Sequence, residues 1–143
     1  ACSPRFYANP ALATRLDDYE KLRGLRIGHV LESVYFQPFD GDQALNKVGV
    51  SNESQLLQML VRGRIDVLVG TDCQVDYALL TPELGGRIVK AAYRPEARTD
   101  LYIGFSRQRL ERLPQLAAAL ETLLREGWVA RAARRYQVVV AHQ

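Results

Sequence analysis

Apolar residues fall along this chain in two distinct rhythms, and each rhythm predicts a different kind of element. The densest run is Ile65-Asp66-Val67-Leu68-Val69-Gly70. A nearly continuous apolar stretch this short is the mark of a strand buried on both faces, so Ile65–Gly70 is read as the central strand of a parallel sheet. Shorter β-favouring runs occur at Phe6-Tyr7, Leu25–Val30, Lys47–Val50, Arg87–Ala92 and Leu101–Phe105. A second rhythm, with spacings of three and four, predicts helices. It is seen in Leu56, Leu57, Leu60 and Val61, and again in Leu113, Leu116, Ala117, Leu120, Leu123 and Leu124. Ser51-Asn52-Glu53 is a start signal for the first of these helices and Gly63 a stop. Pro114 suits the first turn of the second helix and Gly127 ends it.

Weaker patterns fill the rest. Leu12–Tyr19 reads as a short helical stretch, Gln74–Leu80 as a helix closed by Thr81-Pro82, and Trp128–Tyr136 as a last helix. Val138-Val139-Val140 reads as a final strand or a tail. A helix is also predicted directly after Leu25–Val30, with Ser33 as its N-cap, although Pro38 limits its length. Strands alternating with helices predict an α/β fold, a three-layer sandwich around a mostly parallel sheet. Right-handed crossovers would then put the loops leaving the strands' carboxyl ends on one side, where open α/β sheets bind ligands.

Composition narrows the function without naming it. The chain has 143 residues, 48% of them hydrophobic and 24% charged, with a formal charge of +3. This is ordinary for a globular domain. The arginines, such as Arg62, Arg107, Arg112, Arg131 and Arg135, are interspersed with acids and form no stripe with aromatics, so no nucleic-acid partner is expected. No apolar run approaches the roughly 20 residues of a membrane span. The start at Ala1-Cys2-Ser3-Pro4, without Met, looks like a mature or trimmed product, and no signal peptide is visible. The two cysteines, Cys2 and Cys73, can pair in an oxidising compartment, but sequence does not set their distance.

Two strand-to-helix turns carry the candidate chemistry. At Val30-Leu31-Glu32-Ser33, a helix N-terminus with a cap hydroxyl would favour an anion, or Ser33 would simply cap its helix. Glu32 opposes the anion with its own charge. At Gly70-Thr71-Asp72, Thr71 and Asp72 would sit on the ligand-facing rim, with Asp72 either accepting from an ammonium group or capping the next helix. Ser33, Glu32, Thr71 and Asp72 are therefore the candidate ligand-binding residues. Nucleophile elbows, phosphate loops and paired metal ligands are missing from the sequence, so no enzyme activity, cofactor or metal is expected.

Four segments together resemble one family. Leu22-Arg23-Gly24-Leu25-Arg26-Ile27-Gly28, Asn52–Val67, Leu101–Ser106 and Leu110–Tyr136 resemble, in the same order, motifs of the family 3 extracellular solute-binding proteins, the polar amino-acid receptors of ABC importers. The resemblance covers roughly residues 20–137. It implies a periplasmic-binding-protein-like lobe: residues 1–21 as a hinge or leader segment, 22–100 as lobe two, and 101–143 as a hinge strand with C-terminal helices returning toward a lobe one that is mostly absent from this chain. It implies a periplasmic location, a small polar solute as ligand, and the membrane subunits of an importer as partners. Ser33 falls at the family's hydroxyl near the ligand carboxylate. Thr71 falls where amino-acid receptors place an aspartate, and Glu32 where they place a glycine. The same domain also occurs as the sensor of signalling receptors, and a few relatives are dehydratases, for which Glu32 would be the carboxylate to watch. With lobe one absent, the leucine stripe of 113–124 needs cover, so it either docks back on its own lobe or pairs with a second copy as a homodimer, through that helix or through exchange of the hinge near Tyr93–Leu101.

Overall fold

The computed structural model describes residues 2–97 and 107–140, and the chain divides into two units, Ala1–Asp100 and Leu101–Gln143. In the first unit five strands form one sheet: β1 (Pro4–Ala8), β2 (Arg26–Val30), β3 (Asn46–Val50), β4 (Val67–Thr71) and the short β5 (Val89–Lys90). Their spatial order is β3-β2-β4-β1-β5. As its apolar run predicts, β4 is the middle strand, and Val67, Leu68 and Val69 are fully buried. It pairs in parallel with β2, which pairs in parallel with β3, but its other neighbour β1 is antiparallel, as is the β1–β5 pair. The sheet is thus mixed, with its parallel part in β3, β2 and β4.

Strand alternation builds a core on each face. Phe6 and Ala8 of β1, Ile27 of β2 and Val67 and Val69 of β4 meet Ala13 of α1 (Pro10–Arg15) and Leu16 just past its end, together with Leu22, Phe36 and Phe39. Tyr7, Val50 and Leu68 point the other way and meet Leu56, Leu57 and Leu60 of α2 (Glu53–Val61) and Val75 of α3 (Asp72–Ala78). Helices therefore cover both faces, giving the three layers expected. Gly28 allows α2 to lie this close: a Cβ there would fall 2.5 Å from Ile65 and 2.7 Å from Leu56.

Local chemistry sets the element ends. Asn52 caps α2, its side chain accepting from the Gln55 N–H at 2.9 Å. Asp66 ties the start of β2 to the lead-in of β4. It accepts from the Arg26 backbone N–H at 2.7 Å and from its guanidinium at 2.9 Å, while the same guanidinium donates to the Gly63 carbonyl at 3.0 Å. Beneath α3, the fully buried Tyr7 donates its hydroxyl to Asp76, which also pairs with Lys90. The Tyr7 phenol is raised far above its usual range, first by burial and then by Asp76.

The helix predicted after β2 does not form. Residues 31–38 make a turn and an irregular segment, followed by a 3₁₀ turn at Phe39–Gly41, and Ser33 caps nothing. Pro38 has no N–H to give a helix and disfavours α backbone at Gln37. Tertiary contacts do the rest: the Asp40 carboxylate takes the Tyr35 N–H, and Phe36 and Phe39 turn inward against Phe6.

In the second unit, α4 (Leu113–Arg125) follows the predicted leucine pattern and α5 (Trp128–Val140) follows it after the left-handed Gly127. Val138–Val140 is thus the end of a helix and not a strand: extending a formed helix adds one hydrogen bond per residue, whereas a strand needs a partner edge. Leu124, Trp128 and Val129 are exposed. The strand expected at Leu101–Phe105 lies outside the described residues.

Candidate functional site

The parallel strands β2 and β4 end beside one another, and β3 delivers the chain into α2 next to them. Their carboxyl ends floor a cleft of ≈ 700 Å³. That is within the range of small-molecule sites, about 300–1,000 Å³. Val30 and Gly70 come from the strand ends, and Glu53 from the first turn of α2. Thr71, Cys73, Gln74, Tyr77 and Ala78 come from the junction of β4 with α3, and Ser33, Val34 and Tyr35 from the loop after β2.

Of the four residues singled out from sequence, the fold brings two together. Ser33 and Thr71 both line the cleft. Thr71 sits at the N-cap position of α3 but makes no side-chain cap bond, so its hydroxyl is left for the cleft. Asp72 is directed elsewhere: its carboxylate accepts from the Ser3 N–H at 2.9 Å, and its own N–H donates back to the Ser3 carbonyl at 3.0 Å. Next to this pair, Cys2 and Cys73 form a disulfide, with Cα atoms 5.5 Å apart. Cys2, Cys73 and Asp72 are the one metal-like cluster among the described residues. With both sulfurs bonded to each other and the carboxylate engaged by Ser3, it offers no ligand set.

Glu32 is exposed and lies outside the cleft lining. It is the third residue of a turn closed by the Ser33 N–H on the Val30 carbonyl, and its φ is 61°. Left-handed backbone at that turn position favours glycine. Replacing Glu32 by glycine should therefore stabilise the chain by about 0.5–1 kcal/mol, and replacing it by valine should cost about 1 kcal/mol or more. Urea unfolding of the two variants checks this, and equal midpoints would contradict it.

The cleft also holds groups that sequence reasoning passed over. Tyr35 anchors the loop by accepting the Val30 N–H on its phenol oxygen at 3.0 Å. Burial raises that phenol, against hydrogen bonds with Val30 and Ser33 that lower it. Tyr77, exposed, also lines the cleft. Glu53 is half-buried, and burial pushes its carboxyl above the usual range. Its signal in the sequence is its place: one residue beyond a helix cap, directly after the carboxyl end of a parallel strand. The arrangement offers hydroxyls, an amide, two aromatic rings and one carboxylate. It offers no nucleophile paired with a base.

The cleft lies at the carboxyl ends of parallel strands in a helix-flanked sheet, the place where open α/β sheets take their ligands. Among the solved structures the chain resembles in fold are amino-acid binding proteins. An amino acid ABC transporter substrate-binding protein from Streptococcus pneumoniae bound to L-arginine has a TM-score of 0.75 at 11% identity, over 99% of this chain and 60% of that one. An ancestral arginine-binding protein bound to arginine has a TM-score of 0.78 at 17% identity, over 94% and 60%. Holo ArgBP from T. maritima has a TM-score of 0.72 at 15% identity, over 90% and 58%. The chain thus spans about 60% of the length of these structures, each a binding protein, and at such identities the likeness is one of fold. No family model and no curated protein matches the chain.

Proposed function

We propose that this chain binds a small, polar, amino-acid-like solute as the second lobe and closing segment of a periplasmic solute-binding protein that serves an ABC importer. The observation that carries the reading is the cleft itself: Ser33 and Thr71, far apart in sequence, line one pocket with Glu53 and two tyrosines where an α/β sheet binds ligands. The ligands bound in similar structures, arginine and glutamine, support the solute class. The Cys2–Cys73 bond suits an oxidising compartment such as the periplasm. Residues 22–100 would be the lobe and 101–143 the hinge strand and returning helices, with the importer's membrane subunits as partners. Binding occurs without turnover. A dehydratase would have relied on Glu32, which stands outside the cleft lining.

Thermal melting of the full chain against the common amino acids tests the proposal. A ligand at 100 times its Kd adds about 2.7 kcal/mol, a rise of several degrees in Tm. If no amino acid moves Tm at millimolar concentration, the reading fails. The exposed Leu124, Trp128 and Val129 also support pairing of two copies through the C-terminal helices. Light scattering on the same samples gives a mass that rises with concentration if this is so, and a monomer mass throughout removes it.

A further inference from the structure

Several acidic side chains among the described residues are paired, and the half-buried one at the cleft is not. Asp66 holds Arg26, Asp76 holds Lys90 and Tyr7, Asp42 accepts from Tyr19, Asp17 pairs with Lys21, and Glu20 with Arg23. Glu53 is half-buried and has no hydrogen-bonding or ion-pairing side chain among the described residues. Nor does any lysine, arginine or histidine line the cleft with it. Gly70 lies beside it at the cleft floor: a Cβ there would meet Val75 at 2.6 Å and come within 3.8 Å of the Glu53 carboxylate oxygen. Removing a carboxylate from water without a partner is unfavourable, and burial here raises the carboxyl accordingly. A cation arriving with the ligand would end that mismatch.

The surroundings suit the same visitor. The tyrosine rings of residues 35 and 77 both line the cleft, and aromatic faces attract ammonium and guanidinium groups. Ser33, Thr71 and Gln74 supply uncharged acceptors for the remaining N–H groups. An anionic ligand would meet Glu53 with no compensating charge among the lining residues.

The geometry points to Glu53 as the specificity-determining residue of the cleft and to a ligand bearing a primary ammonium or guanidinium group that pairs with its carboxylate. This rests on the binding function proposed above and deepens it. The test is titration calorimetry on the full chain at neutral pH with agmatine, L-arginine and glutarate, the last having no cation. Wild-type protein should bind at least one of the two cationic probes and bind it tighter than glutarate. Glu53→Gln should weaken that binding about ten- to hundredfold, the scale of a charge-assisted hydrogen bond. Glu83→Gln, which removes an exposed acid outside the cleft, should leave it within twofold. Glu53→Asp, which keeps the charge but shortens the reach, should fall between, and this holds the test open if the glutamine variant folds poorly. Cation binding within twofold of wild type in Glu53→Gln, or glutarate bound tighter than both cations, overturns the assignment. If the amino-acid melting screen finds a ligand while neither cationic probe binds, the assignment of Glu53 fails alone. If that screen finds none and no probe binds, the binding function fails and takes this inference with it.

Discussion

Replacing Cys2 and Cys73 together by serine is expected to destabilise the chain by about 4 kcal/mol. The bond joins residues 71 apart, and closing a loop of that size removes chain entropy from the unfolded state equivalent to about 4 kcal/mol. The native side adds little strain to recover, because Ser3 and Asp72 already hold the same two segments through reciprocal hydrogen bonds. Those bonds align the lead-in to β1 with the first turn of α3, and Cys73 also lines the cleft. The double variant should melt roughly 10–20 °C lower. Its urea m-value should rise, because the unfolded chain loses a cross-link that kept it compact. Dithiothreitol on the wild-type chain should give the same shift. A loss below about 1 kcal/mol, with m unchanged, would mean that the bridge does not constrain the unfolded chain as supposed.

Phe6→Ala is expected to cost about 3–5 kcal/mol, the range for deleting a fully buried aromatic. Phe6 has no exposed surface and is the hub of the aromatic cluster on its face of the sheet. Its ring meets Phe36 edge-on at 6.0 Å and Phe39 at 5.7 Å, and stacks on Tyr93 at 5.8 Å. Those partners come from distant segments, so collapse around the cavity would need several of them to move at once. Phe36 and Phe39 are also what holds residues 31–38 in their irregular path, and that path carries Ser33 and Tyr35 to the cleft. Ligand affinity should therefore fall with stability in Phe6→Ala, whereas Phe6→Leu should recover most of both. Urea unfolding gives the first quantity and calorimetry the second. A stability loss under 1.5 kcal/mol, or full affinity in the alanine variant, would contradict this coupling.

The sequence by itself determined the elements whose signals are local. The nearly continuous apolar run of residues 65–70, interrupted only by Asp66, called for burial on both faces, and β4 is indeed the middle strand. Asn52 before a three-and-four apolar pattern placed α2, and the leucine spacing placed α4. These outcomes depend on periodicity and caps, which neighbouring residues carry among themselves. Tertiary structure decided the rest. The segment after β2 has a credible helix cap in Ser33, yet Pro38 and the inward pull of Phe36 and Phe39 on Phe6 overrode it. Asp72 and Thr71 are adjacent, yet only Thr71 lines the cleft, because a backbone N–H at Ser3 claims the Asp72 carboxylate. The pairing of Cys2 with Cys73 needed β1 to lie antiparallel to β4, a choice that no local pattern encodes. Glu53 sits in an ordinary helix start. It becomes a cleft residue only because β3, β2 and β4 end side by side, and that adjacency arises from strand order, which is a property of the whole fold.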